Sequence, residues 1–74
     1  MNNKINNLSK KFGKSIKIER IKQEISQERL AELSGLHRTT LGSIENGKTS
    51  PTLDSIARIA NALNKTISEL LVDI

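Results

Sequence analysis

Apolar residues along the chain recur at helical rather than alternating spacing. Leu8, Phe12 and Ile16 stand four apart, and Gln23 continues their face after a polar gap. This predicts a first helix from Leu8 to Gln23, with Ser9 as its N-cap. Leu30, Ala31, Leu33, Leu36, Leu41 and Ile44 form a second set, broken at Ser34-Gly35-Leu36. That break predicts two short helices whose apolar faces meet. The second helix starts after Ser26 and ends near Ser34, and the third runs from Arg38 to Asn46. Gly35 marks the turn, where positive φ is often needed. Asn46-Gly47 is a pair suited to ending the third helix in left-handed geometry. Lys48 to Pro51 is a loop.

A fourth helix begins after Thr52 as N-cap, with Asp54 in its first turn. Its stripe is Leu53, Ile56, Ala57, Ile59, Ala60 and Leu63. Asn64-Lys65-Thr66 is the next turn, and Ser68 is expected to cap a last helix from Glu69 to Val72. No β alternation and no internal repeat occurs. Residues 1–7 are polar and Asn-rich, and read as a flexible arm or an early extension of helix 1. Ile18 and Ile21 lie opposite the main face of helix 1. Two readings stand for Ile21: packing beneath a later helix, or contact with a partner.

Seventy-four residues suit one domain, residues 1–74, burying about 60–65% of its unfolded surface. That supports a small helical core, not a core plus a deep catalytic cleft. The chain has no Cys and one His, so thiol chemistry and multi-His or Cys metal sites are excluded. No apolar run approaches the roughly 20 residues of a membrane span. MNNKINNLSKK has no apolar signal core, so a cytoplasmic location is expected. No enzyme activity, cofactor, metal, membrane or small-molecule ligand is expected.

Charge narrows the partner. The net charge is +4, and Lys10, Lys11, Lys14, Lys17, Arg20 and Lys22 crowd the first third. Such a balance suits an anionic partner. Phe12 is the one aromatic residue, so stacking on single-stranded bases has no material. Double-stranded DNA is therefore the expected partner. Helix 3 presents Arg38, Thr39, Thr40 and Ser43 outward, the build of a helix-turn-helix reader in the major groove. Arg38 can pair bidentately with guanine O6 and N7, or else clamp a phosphate. Thr39 and Thr40 can offer hydroxyl or methyl groups to bases, or hydrogen-bond locally at the helix start. Ser43, one turn on, can reach a base or a phosphate. His37 has no catalytic partner nearby and reads as an N-cap or phosphate-side residue.

One recognition helix covers only a few base pairs, so a homodimer is expected, with recognition helices roughly 34 Å apart. The last residues carry more apolar side chains than one buried face needs. Leu70, Leu71, Val72 and Ile74, within 64–74 and with part of helix 4, are the candidate dimer interface.

SQERLAELSGLHRTTLGSIENGKTSPTLDSIARIANALN resembles the phage-repressor-like (XRE-type) helix-turn-helix family, and the resemblance spans about residues 9–72. It implies an all-α, five-helix, lambda-repressor-like domain with the helix-turn-helix at helices 2 and 3. Phe12-Gly13 and Gly35-Leu36-His37-Arg38-Thr39 are most similar to controller proteins of restriction–modification systems. The resemblance implies phosphate contacts from Gln27, Asn46, Lys48 and Thr49. It also implies a partly buried structural ion pair between Arg20 and Glu45. Controllers bind tandem operators and set the level of their own gene and the endonuclease gene, with RNA polymerase as a further candidate partner. A phage- or plasmid-type repressor with another regulon and an antitoxin-like, toxin-binding module are the alternatives. Three positions depart from the family pattern. Glu24 stands where many members end helix 1 with Gly, Thr40 where controllers often carry an aromatic residue, and Gly42 sits inside helix 3.

Overall fold

Five helices follow one another in the computed structural model, which describes the backbone of residues 3–71 and the side chains of residues 7–71. They are α1 (Asn3–Lys22), α2 (Gln27–Ser34), α3 (Arg38–Glu45), α4 (Leu53–Ala62) and α5 (Ile67–Leu71). No strand occurs among the described residues. Val72 and Ile74 of the expected dimer interface lie outside them.

Side-chain caps explain where most helices begin. Ser26 Oγ accepts from the Arg29 N–H at 3.0 Å, and Thr52 Oγ1 from the Ser55 N–H at 3.0 Å. Each satisfies one of the orphan donors of a first turn. The cap of α5 is Thr66, not Ser68. Thr66 Oγ1 accepts from the Glu69 N–H, and Glu69 Oε1 accepts from the Thr66 N–H at 2.8 Å. This reciprocal capping box starts the helix two residues ahead of the expected place. The hydrogen bond donated by the Thr66 backbone holds the Glu69 carboxyl below its ordinary value. Helix α1 begins at Asn3, so Ser9 lies inside it and caps nothing. Its hydroxyl meets that of Ser50 at 3.0 Å instead.

The core is Phe12, Ile16, Leu30, Ala31, Leu41, Ile44, Ile59, Ala60, Leu63 and Leu70. Every helix contributes, and the apolar stripes of α2 and α4 are narrower than their sequences suggest. Leu33 and Leu53 belong to those stripes yet are exposed, Leu53 by 82%. Ala57 is exposed as well. Ile21 is 56% exposed and does not pack beneath a later helix. Leu70 is buried at 3%, so it faces the core rather than a partner. Its carbonyl also accepts from Ser15 Oγ at 2.7 Å, tying α5 to α1. With only five residues, α5 needs that inward anchor to hold its place. Leu71 remains partly exposed.

Two crossings set the position of α3. At Gly13 the α1 backbone meets the α3 carbonyls of Ile44 and Glu45, leaving no room for a Cβ. At Gly47, just past α3, a Cβ would fall 2.8 Å from Lys10 Cα. Gly47 also carries the positive φ of that turn, at 70°, whereas Asn46 does not share it, with φ −87°. The expected left-handed pair is therefore a single left-handed glycine. Between α1 and α2 the positive φ falls on Glu24, at 57°, where a glycine would be unstrained.

Candidate nucleic-acid interface

Gly35 closes α2 in the left-handed conformation, φ 71°, and the N–H groups of Gly35 and Leu36 donate to Glu32 and Ala31 carbonyls. The chain then re-enters a helix within three residues. His37 takes the N-cap position of α3 with extended backbone, but its side chain makes no capping hydrogen bond. Leu41, Ile44 and Glu45 are buried on one side of α3. Arg38, Thr39 and Thr40 are exposed, and Ser43 is half-buried. Thr39 and Ser43 stand one turn apart on the outer side. Thr40 stands one turn before buried Ile44 and so flanks that side. All four sit on one short helix with its apolar face fixed against the rest of the domain. Arg38 leads it, its guanidinium free to extend.

A buried polar cluster locks this helix in place. Arg20 Nε donates to Glu45 Oε2 at 2.8 Å, and Nη2 donates to Oε1 at 3.2 Å. Glu45's side chain is 1% exposed and Arg20's 12%. Arg20 Nη1 also donates to the Ile25 carbonyl at 2.9 Å. Gln27 Nε2 donates to Glu45 Oε1 at 3.1 Å. One carboxylate of α3 thus gathers α1 and the first residue of α2. Such a charge is tolerable in the interior because its oxygens are paired and hydrogen-bonded. No buried side-chain nitrogen or oxygen lacks a partner among the described residues.

The expected phosphate-side residues divide into two groups. Gln27 is half-buried with its amide group turned inward to Glu45, so what it offers outward is the N-terminal turn of α2. Asn46, Lys48 and Thr49 are exposed on the turn that leaves α3. These two segments are the start of α2 and the α3–α4 loop, before and after α3 in the chain. The exposed residues of α3 and of the turn after it include two cations, Arg38 and Lys48, and the hydroxyls of Thr39, Thr40 and Thr49. No group of three or more His, Asp or Glu side chains that could hold a metal ion occurs among the described residues. No helix there is long and apolar enough to cross a membrane.

Sequence reasoning missed several positions that build this site. Gly13 is the main one, and its signal was present: a glycine on the buried face of a helix, between Phe12 and Ile16, marks a close approach. Gln27's bond to Glu45 carried no such signal, because it joins residues 18 apart through a tertiary fold. Gln23 likewise turns out to be a polar clasp, with Nε2 donating to the Leu63 carbonyl at 2.8 Å.

A short helix, a glycine turn and a second helix with its outer face free define a helix-turn-helix. Comparison with known proteins agrees, because the helix-turn-helix (HTH_3) family model matches residues 16–70. The chain belongs to this helix-turn-helix family. It is 49% identical over 47 residues to the control protein C.SmaI of Serratia marcescens, covering 64% of this chain and 56% of that protein. It therefore spans little over half the length of that relative. It is 38% identical over 71 residues to the control protein C.MunI of a Mycoplasma species, covering 95% of this chain and 96% of that protein. Among solved structures, the restriction–modification controller protein C.AhdI of Aeromonas hydrophila superposes with a TM-score of 0.80 at 39% identity. That match covers 82% of this chain and 92% of C.AhdI.

Proposed function

We propose that the chain is a DNA-binding transcription regulator, the controller of a restriction–modification system, and that it reads its operator as a homodimer. The observation that carries the DNA reading is the buried Arg20–Glu45–Gln27 cluster, which fixes an otherwise small α3 with its polar face outward. A reader of base edges needs such rigidity, because base contacts discriminate only when the helix is held in one orientation. Similarity to C.SmaI, C.MunI and C.AhdI supports the controller role.

In this reading Arg38, Thr39, Thr40 and Ser43 contact base edges. The first turn of α2 and Asn46, Lys48 and Thr49 contact phosphates and set the register. Dimerisation uses the surface around Leu71. There, Leu8, Phe12, Pro51, Ile56 and Leu71 line an apolar groove of about 200 Å³. Exposed Leu53 stands close by in sequence, one turn before Ile56, and extends the apolar surface. In this reading a dimer joined there presents two copies of α3 to one operator.

Salt titration of binding to a DNA duplex from upstream of its own gene tests the proposal. A dimer neutralising several phosphates loses affinity steeply and linearly on a log–log plot. Absence of binding at low salt, or binding indifferent to salt, would overturn it. A methyltransferase and an endonuclease gene beside the coding sequence would separate the controller from a repressor with another regulon.

A further inference from the structure

The outer face of α1 has no role in the reading above, and it combines exposed isoleucines with lysines. Two residues along an α-helix turn through about 200°. Ile18 therefore points away from buried Ile16, and Ile21 lies one turn on from it. Ile18 is 43% and Ile21 56% exposed. Lys14 and Lys11 precede Ile18 on the same side, Lys22 follows it, and all three lysines are exposed. Lys17, also exposed, stands beside them. The described part of α1 has one acid, Glu19, and it is turned aside to Gln23 and Lys65. Among the described residues of α1, the face is therefore an aliphatic pair inside a ring of lysines, with no carboxylate of that helix on it.

Its direction matters as much as its make-up. The opposite side of α1 lies on α3, through Gly13 against the Ile44 and Glu45 carbonyls and through Arg20 on Glu45. The lysine–isoleucine face thus points away from the recognition helix. Its lysines are poorly placed to serve the DNA that α3 reads, and two isoleucines are the wrong chemistry for a phosphate row. A second copy of the chain is also a poor fit. Set face to face on two copies, it would bring lysine against lysine with no carboxylate of α1 between them.

We propose that this face docks an acidic amphipathic helix of another protein, with aliphatic side chains on Ile18 and Ile21 and carboxylates among the lysines. The docking face does not depend on the DNA reading. Its use while α3 holds an operator does, and the two can fail separately.

The test is an amide chemical-shift titration of the full chain with a helical peptide carrying leucines on one face and glutamates on both flanks. The expected result is shifts confined to residues 14–22, with affinity falling at least about tenfold in Ile18→Ser/Ile21→Ser. Because both residues are exposed, that variant should keep the wild-type melting temperature and the wild-type affinity for duplex DNA. Shifts on α3 or elsewhere, no shifts, or equal affinity in the variant would overturn the proposal. So would the same residues 14–22 responding to duplex DNA or to anionic vesicles instead of the peptide. Self-association of the wild type that is lost in the variant would also overturn it, by assigning the face to a second copy. If no duplex binds the wild type, the DNA reading fails while the peptide result stands.

Discussion

Arg20 and Glu45 form a two-pronged ion pair, Nε to Oε2 at 2.8 Å and Nη2 to Oε1 at 3.2 Å, across 25 residues of sequence. The pair joins α1 to the last residue of α3. A surface pair would contribute little, but this carboxylate is 1% exposed and has Gln27 as a third partner. Removing one partner strands the others. Glu45→Ala leaves the Arg20 guanidinium and the Gln27 amide without their acceptor in a mostly dry site. The expected loss is about 3 kcal/mol. In a domain of this size each kcal/mol lowers the melting temperature by roughly 4–8 °C. Thermal denaturation followed by circular dichroism reads it, and an unchanged midpoint would count against the cluster as the clamp on α3.

Two glycines inside helices should respond to alanine with opposite sign. At Gly13 a Cβ meets the backbone carbonyls of Ile44 and Glu45, which cannot give way without moving α3. Gly13→Ala should cost at least about 2 kcal/mol, as an overpacked core position does. At Gly42 a Cβ finds only the Gln27 side chain, at 3.7 Å, an ordinary contact. There the helix-propensity gain decides, and Gly42→Ala should raise stability by up to about 1 kcal/mol. Urea denaturation of both variants beside wild type distinguishes them.

Leu71 lies on the rim of the apolar groove with Leu8, Pro51 and Ile56, while its neighbour Leu70 is spent on the core. Leu71→Asp places a charge on the proposed dimer surface at small cost to the fold. Sedimentation should then show monomers where wild type shows dimers, with circular dichroism unchanged. Loss of the folded signal would mean that Leu71 acts in the core, and dimers of the variant would remove it from the interface.

The capping box of α5 gives the domain a local response to acid. The Thr66 N–H donates to the Glu69 carboxylate and lowers its pKa. A lowered folded-state value adds stability above the unfolded-state pKa, and that stability is lost as pH falls through the carboxylate range. Hydrogen exchange at α5 amides, corrected for intrinsic rates, should therefore speed up on acidification before the rest of the domain responds. In Glu69→Gln that selective step should disappear.

Much of this architecture is written in the sequence. The turn at Gly35, the caps at Ser26 and Thr52 and the core positions Leu30, Ala31, Leu41, Ile44, Ile59, Ala60 and Leu63 follow from local signals, whereas Leu33, Leu53 and Ala57 share the spacing and are exposed. The outward placement of Arg38 and Thr39 and the odd position of Ile18 and Ile21 follow from local signals too. The errors lie where a local pattern competes with a tertiary one. Ser68 looked like a cap because it precedes Glu69, yet Thr66 is better placed because its partner glutamate reaches back three residues. Leu70 looked like spare apolar surface, because nothing local shows that a five-residue helix needs one side chain inward to stay docked. Gln27 offered no hint of Glu45, since contacts over such a separation depend on how three helices meet. Glu24 shows the reverse case: the missing glycine was legible, and the chain adopts the left-handed turn there all the same, at φ 57°.

Selection of bound duplexes from a random pool, repeated with wild type and Arg38→Ala, tests the central claim that α3 reads DNA as one half of a dimer. The expected wild-type result is a near-palindromic site with half-site centres one helical turn apart, roughly 34 Å. Arg38→Ala should relax the preference at one guanine in each half-site, at a cost of about 1–3 kcal/mol there. No enriched sequence, or a single unpaired site read equally well by both proteins, would contradict it.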